Sequence, residues 1–491
     1  MTHTSTTGRP AVRARTDLKI AASAEPGRGE PIAVFNPATE EQIGEVRSAT
    51  PEQVHRATAE ARAALDAGEL GDAEQRSGYL HRLADVVAAR ADEVLDTVVA
   101  EVGTPVSTAR DLHLNSPLEI LRWIADAALV DRTERLAPNS GAGASEAYVL
   151  QRPVGVVAGI TAYNYPFMFN LMKAGSALAA GCPVVLLSSP HAPLSSLLFA
   201  DLVTAAGLPE RAVSVLAGGI DTAQELVADP LVAKVSFTGS VVGGTAVMRT
   251  AAVGVRDVVL ELGGKSAAVV LPSADPAAIV RSIHLRYLRN AGQGCASPTR
   301  ILVPQARLEE FAELSRAVYD EVAVGDPTDP ATLVGPVISP QHRERVLGYI
   351  SGALADGGHE VATGHAGDPD SGWYVRPTLI GGLGNDARIN QEEVFGPVAT
   401  LQPYRSVDEA VSIANATTYG LHASVFGDLD EAKAVAPRLD AGLVTINGGG
   451  RVRADAPNGG WKQSGIGRER GEAGIREYLE PVTVQWPMET R

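Results

Sequence analysis

Cys295 lies in the stretch NAGQGCASPTR, with Gly294 and Ala296 beside it and Gly292 and Ser297 just beyond. Small neighbours let a substrate and backbone donors approach a thiol closely, as a nucleophile requires. The chain has 491 residues and only two cysteines. The other, Cys182 in ALAAGCPVVLL, sits between a helix end and an apolar run, where a small thiol packs without chemistry. A thiol that forms an acyl intermediate needs a base to activate water. Glu261, in LELGGK, closes a strand before paired glycines, and its carboxylate projects either into a cleft or into solvent. Asn164, in TAYNYPFMFNLMKAG, stands just before a helix that Pro166 can open. Its amide either donates to an oxyanion or caps the helix. Lys173 lies within that helix and faces either solvent or the site. The segment FTGS at 237–240 leads a strand into a helix containing Gly243 and Gly244. Free N–H groups at such a turn suit a phosphate, although this is not the G-x-G-x-x-G dinucleotide pattern.

These residues need elements to hold them. PIAVFNPATEEQIGEV reads as two short strands around a turn. Residues 51–67 and 73–100 read as amphipathic helices, the second with Leu80, Leu83, Ala84 and Val87 at helical spacing, and a further helix is expected at 115–130. EAYVLQRPVGVVAGI is the first strongly strand-like run, interrupted by Pro153 and Gly155. Strands then alternate with helices: VVAGI, a helix at 166–180, PVVLL, a helix from about 192 to AAGLP, AVSVLAG, a short helix and KVSFTG. Short strands without polar alternation, spaced by helices, predict a mostly parallel sheet covered on both faces. A second series, DVVLELG, SAAVVL, TRILVP, PVATLQPY and GLVTIN, predicts a second α/β domain. GDPTD, GHAGDPDSG and NGGGRVRADAPNGG read as loops.

Composition narrows the classes. Apolar residues make up 45% of the chain, with Gly 50 and Pro 31, which is a globular composition with many tight turns. A net charge of −16 works against binding nucleic acid or an anionic membrane. No run of 18 apolar residues is present to span a bilayer. Two cysteines cannot build a disulfide framework, which fits a reducing cytoplasm. The polar, basic start, MTHTSTTGRPAVRARTDLK, lacks the apolar core of a secretion signal and reads as a flexible tail over 1–20.

Taken together, NPATEEQIG, the region around Asn164, AAGLP, FTGS, LELGGKS, NAGQGC, EEVFGPV, ANATTYGL and KQSGIGRE resemble the NAD(P)-dependent aldehyde dehydrogenase superfamily, in the same order and across nearly the whole folded chain. The resemblance implies a Rossmann-type cofactor domain (21–130 and 152–260), an α/β catalytic domain (261–452) and a small β arm for oligomerisation (131–151 and 470–491). It implies a homodimer or homotetramer. Cys295 is similar to the thiolate that attacks the aldehyde, and Asn164 with the Cys295 N–H to the oxyanion donors. Glu261 resembles the base that activates the hydrolytic water, and Lys173 the lysine that assists proton relay. Members that pass the acyl group to coenzyme A lack the base, so the free acid is the expected product. The cofactor site implied is Thr161, Ala162, Tyr163, Leu187, Gly218, Phe237, Gly239, Ser240, Gly244, Leu262, Gly263, Glu393 and Phe395, with Glu393 on the nicotinamide ribose. The substrate pocket implied is Tyr165, Phe169, Met172, Arg289, Gly294, Ala296 and Asn458. No metal is expected.

The chain departs from the family at VVLLSSP, where the usual pattern is V-V-L-K-P-[SAT]-E. Leu187 replaces the lysine of the adenosine ribose and Pro190 the glutamate that favours NAD, and neither side chain can make those bonds. NAD is the expected cofactor, more weakly held, with NADP the alternative. Arg289 resembles the arginine that helps to hold a substrate carboxylate in the succinic semialdehyde branch, or else it bonds a backbone carbonyl or reaches solvent, and Met172 is not that branch's second arginine. Tyr165, Phe169 and Met172 give one apolar wall, suited to an aliphatic or aromatic aldehyde. Two other readings compete: cysteine-dependent acyl transfer or ester hydrolysis with poor nicotinamide turnover, and a non-catalytic structural protein on the same fold.

Overall fold

The computed structural model describes residues 15–139, 143–365 and 371–488. Two covered sheets form the body. In the first, eight strands run in the order Ser23–Pro26, Asp17–Ile20, Val213–Ala217, Val184–Ser188, Val156–Ile160, Val232–Thr238, Asp257–Glu261 and Gly465–Ile466. Its five central strands pair in parallel. Val156–Ile160 and Val184–Ser188 are buried at every position, because helices cover both faces. The second sheet has seven strands, ordered His359–Thr363, Thr378–Gly381, Val398–Tyr404, Arg300–Pro304, Ala267–Val270, His422–Phe426 and Leu443–Ile446. A third, of Leu479–Pro487, Ser145–Pro153 and Glu134–Leu136, forms a small arm.

The helix expected over 73–100 is two helices, Ala73–Ala89 and Ala91–Val102, broken at Arg90 (φ −109°, ψ 29°) without any proline or glycine. Leu80, Leu83, Ala84 and Val87 are fully buried, as their spacing requires. The helix expected at 115–130 is Ser116–Ala127, and a π-helical turn, Asp111–Asn115, leads into it.

Two further expectations are corrected. DVVLE does not begin the second sheet: it pairs in parallel with Val232–Thr238, from Lys234↔Asp257 to Thr238↔Glu261. An apolar parallel strand carries the same pattern in either sheet, so the sequence holds no marker of membership. The tail expected over 1–20 is not all tail. Residues 1–14 lie outside those described, but Asp17–Ile20 is a strand of the first sheet with Leu18 and Ile20 buried. Lys19 anchors it by donating to the carbonyls of Ala21, Glu210 and Val213. The loop GHAGDPDSG is described only in part.

The carboxyl ends of the central strands lie level, with Ile160↔Leu187 and Thr238↔Glu261 as paired partners. Open parallel sheets place their ligand crevices along such an edge.

Candidate active site

Each strand of that edge delivers a piece of one cleft. After Val156–Ile160 come Thr161, Ala162, Tyr163 and Asn164; after Val184–Ser188, Ser189 and Pro190; after Val213–Ala217, Gly218 and Gly219; after Val232–Thr238, Gly239 and Ser240; and after Asp257–Glu261, Leu262 and Gly263. Cys295 with Glu393 and Phe395 closes the opposite side, and the cleft holds about 500 Å³. Gly264 makes this closure possible, since a Cβ there would lie 2.4 Å from the carbonyl oxygen of Cys295.

The turn before Cys295 is left-handed over three residues: Asn290 (φ 53°), Ala291 (φ 53°) and Gly292 (φ 73°). A Cβ on Gly292 would lie 2.0 Å from the Gly396 oxygen, so only glycine fits there. Gln293 fastens the turn by donating to the Asn290 carbonyl (3.2 Å) and accepting from the Ile338 N–H (3.0 Å). Burial, then the charges of Glu393 and Glu261, push the Cys295 thiol up to about 12. The thiol is therefore protonated at rest and needs a nearby base to become a nucleophile.

Glu261 lines the same cleft, and its charge acts on that thiol. It is buried, and one carboxylate oxygen, Oε1, has no hydrogen-bond partner. Burial, then the charge of Glu469, raises its pKa to about 8, while Lys173, Arg470 and Arg468 pull it down. Asn164 donates from Nδ2 to the Gln293 carbonyl at 2.8 Å, which fixes the amide plane. The second N–H of that amide remains for a ligand.

Lys173 does not reach the cleft wall. It is buried behind it, donating to Ser236 Oγ (2.9 Å) and to Glu469 Oε1 (2.8 Å). Glu469 was not singled out from the sequence, although it lies in the KQSGIGRE stretch. Its backbone exchanges two 2.7 Å hydrogen bonds with Asn458. Breaking a buried ion pair from one side leaves the other charge uncompensated. Lys173→Met is therefore expected to destabilise the fold by about 3–5 kcal/mol, read as a lower urea midpoint.

Twelve of the thirteen expected cofactor positions line the cleft. The exception is Gly244, where a Cβ would meet Leu262 at 2.5 Å, so it serves close packing. Ser240 caps the helix Val241–Val253 by accepting from the Gly243 N–H, which leaves other first-turn N–H groups to the cleft. Glu393 accepts from the Gly264 N–H at 2.9 Å, and a Cβ on Gly263 would touch its other oxygen at 2.5 Å. A fixed carboxylate beside a bare backbone, facing helix N–H groups along one crevice, fits a ribose and a pyrophosphate. Arg345, His342 and Pro190 complete the lining. Arg345 is spent on the carbonyls of Glu393 and Val394 at the Glu393 end. No lysine or arginine lies among the cleft residues around Leu187, Ser188, Ser189 and Pro190.

On the substrate side, Tyr165 and Phe169 stack edge to face at 6.3 Å, with Met172 buried in the same helix. Gly294 approaches the Tyr165 hydroxyl, and Ala296 is exposed. Arg289 is half-buried and forms no hydrogen bond or ion pair with the described residues. Its charge acts on Tyr165 and on Arg286.

Residues 24–484 match the aldehyde dehydrogenase family. A geranial dehydrogenase of Castellaniella defragrans is 38% identical over 450 residues, 91% of this chain and 93% of the relative. A betaine aldehyde dehydrogenase of Cereibacter sphaeroides is 36% identical, covering 94% of each chain. Among solved structures, aldehyde dehydrogenase C of Pseudomonas syringae, complexed with NAD+ and octanal, superposes with a TM-score of 0.91 at 37% identity, over 96% of each chain. A Mycobacterium tuberculosis aldehyde dehydrogenase complexed with NAD+ superposes with a TM-score of 0.93 at 34% identity, over 98% of this chain and 100% of that one.

Proposed function

The chain belongs to the aldehyde dehydrogenase family, an NAD(P)-dependent enzyme moving hydride by way of a catalytic cysteine, and from that premise we propose how its own residues divide the work. The observation that carries the assignment is one cleft lined at once by Cys295, Glu261, Asn164 and the ends of the five central strands. The thiol proton of Cys295 passes to water in the cleft, and Glu261 is kept for the hydrolytic half of the cycle. The thiolate attacks the aldehyde carbon, and the oxyanion is held by the free N–H of Asn164 and the backbone N–H of Cys295. NAD+ is the favoured cofactor, and its nicotinamide supplies the hydride acceptor. Glu261 then takes a proton from water, which attacks the resulting thioester carbon. The carboxylic acid leaves and the Cys295 sulfur is released. Lys173 and Glu469 lie behind Glu261 and pass its proton outward. Glu393 and the Ser240 turn hold the ribose and the pyrophosphate.

We assign residues 21–130 and 152–260, together with the strand Asp17–Ile20, to cofactor binding, and 261–452 to catalysis. The strands of 131–151 and 470–491 are the arm through which copies pair, giving at least a homodimer. The unpaired edge of Glu134–Leu136 supports this reading. Among the described residues, no helix is long and apolar enough to cross a membrane.

The substrate class we favour is an apolar aldehyde, supported by the Tyr165, Phe169 and Met172 wall and by the relatives associated with geranial and octanal. Arg289, which has no hydrogen-bond or ion-pair partner among the described residues, supports a second reading in which an aldehyde bearing a carboxylate is bound. NADH formation from octanal, benzaldehyde and a short ω-carboxyaldehyde decides between them. Best kcat/KM with the carboxylated substrate, lost in Arg289→Leu, would establish the second. No reduction of either nicotinamide with any aldehyde would overturn the dehydrogenase assignment.

The adenosine end yields a further expectation. Pro190→Glu places a carboxylate beside Gly218, where it can accept from a ribose 2′-hydroxyl and repel a 2′-phosphate. A hydrogen bond to a charged group contributes about 1.5–3 kcal/mol, so the NAD+ Kd is expected to fall about tenfold. Intrinsic fluorescence quenching checks it, with the NADP+ Kd moving the other way.

A further inference from the structure

The polar chain behind the nucleophile begins far from any motif. Thr104 and His113 are both fully buried. Thr104 follows Gly103, the left-handed cap that ends the helix Ala91–Val102. His113 comes from the π-helical turn Asp111–Asn115, an arrangement frequent at functional sites. The Thr104 hydroxyl lies 2.7 Å from Asn290 Oδ1 and 3.2 Å from His113 Nε2.

The donors can be ordered. Asn290 Oδ1 only accepts, so the single hydroxyl proton of Thr104 goes to it. His113 must then donate from Nε2 to the Thr104 oxygen, which makes Nδ1 the bare nitrogen. Nδ1 is the ring atom left without a partner. Burial holds the imidazole neutral at working pH. Asn290 Nδ2 donates to the backbone carbonyl of Asn164 at 3.1 Å, which holds the main chain from which the Asn164 side chain extends. The side-chain amide of Asn164 in turn donates from Nδ2 to the Gln293 carbonyl at 2.8 Å. Asn290 is also the first of the three left-handed residues leading to Cys295.

We propose that Thr104 and His113 are positioning residues for the aldehyde oxidation: through Asn290 they fix both the backbone of Asn164, from which its amide reaches the cleft, and the turn that carries Cys295. The proposal rests on Asn164 being the oxyanion donor. Neither residue is among those lining the cleft, and His113 packs its ring 5.5 Å from that of Tyr165.

The test uses the full-length enzyme and the single-turnover rate of hydride transfer, with the NAD+ Kd from fluorescence quenching as a second readout. Displacing a reacting group by about 1 Å can lower a rate 10²-fold, and the shift here is smaller, so Thr104→Val is expected to slow hydride transfer about tenfold. The NAD+ Kd should stay within about twofold, and Thr104→Ser should restore the rate. In Asn164→Ala, already slowed, adding Thr104→Val should cause no further loss, since both act at one group. Should Thr104→Val not fold, His113→Met breaks the first link and is expected to slow the step about threefold. An unchanged rate in Thr104→Val, or a full extra loss on top of Asn164→Ala, overturns the proposal and leaves the role of Asn164 standing. An Asn164→Ala protein that transfers hydride at the normal rate removes that role, and the proposal with it.

Discussion

A Cys295→Ala protein is expected to bind NAD+ as the native enzyme does and to transfer hydride at least about 10⁴-fold more slowly, in line with removal of a catalytic nucleophile elsewhere. Two observations support so large an effect. Cys182 cannot substitute, being fully buried and donating its thiol to the Tyr478 carbonyl at 3.3 Å on the far side of the cofactor sheet. The aldehyde itself is a poor hydride donor until sulfur has added to its carbon, because only then does charge build on the oxygen that Asn164 faces. The remaining parts of the cleft stay in place, since the turn before residue 295 is fixed by Asn290, Gly292 and Gln293. Equilibrium NAD+ binding and stopped-flow absorbance with octanal check both halves of the expectation. Residual turnover near the native rate would mean that Cys295 is not the nucleophile.

Glu261→Gln separates the two halves of the cycle. The amide keeps the shape but cannot take a proton from water, so the thioester accumulates. One NADH per site should appear in a burst, followed by steady turnover reduced by about 10²–10⁴-fold, the contribution of a positioned base. The pH dependence has a definite sign. Burial and Glu469 raise the carboxyl to about 8, so it is mostly protonated, and useless as a base, below that pH. Native steady-state turnover should therefore climb as pH rises through about 8 and then level off, and in Glu261→Gln this limb should vanish. Stability moves oppositely. The folded chain holds this proton more tightly than the unfolded one, so the group subtracts stability as pH rises from 4.5 toward about 8. A burst-free progress curve in Glu261→Gln would move the base elsewhere.

How much of this is written in the sequence depends on whether the relevant force is local. VVAGI and PVVLL can be read as buried strands because both faces are covered and no polar alternation interrupts them. Cys295 is readable as a candidate nucleophile from its small neighbours only together with the surrounding motifs, and the cleft then places Glu261 and Asn164 in the same lining. DVVLE could not be assigned to its sheet, since pairing partners are chosen by long-range packing. The break at Arg90 carries no proline or glycine, and Asp17–Ile20 hides its two buried apolar positions beside a basic stretch. Lys173 could be placed on its helix but not behind the cleft wall, because its partner Glu469 lies 296 residues away. Thr104 and His113 sit in no motif, and only the folded backbone brings them to Asn290.

The strand Gly465–Ile466 closes the edge of the cofactor sheet, Glu469 balances the charge of Lys173, and Leu479–Pro487 pairs along the whole of Ser145–Pro153. In the order of synthesis all three follow every other part of the site. A nascent chain that has already exposed Cys295, Glu261 and the strands of the second sheet still has an open edge beside Glu261 and an unneutralised lysine behind it. Its thiol is present, but its base lacks the environment that tunes it. Competence for hydrolysis thus arrives only after the nucleophile and the second sheet are already made.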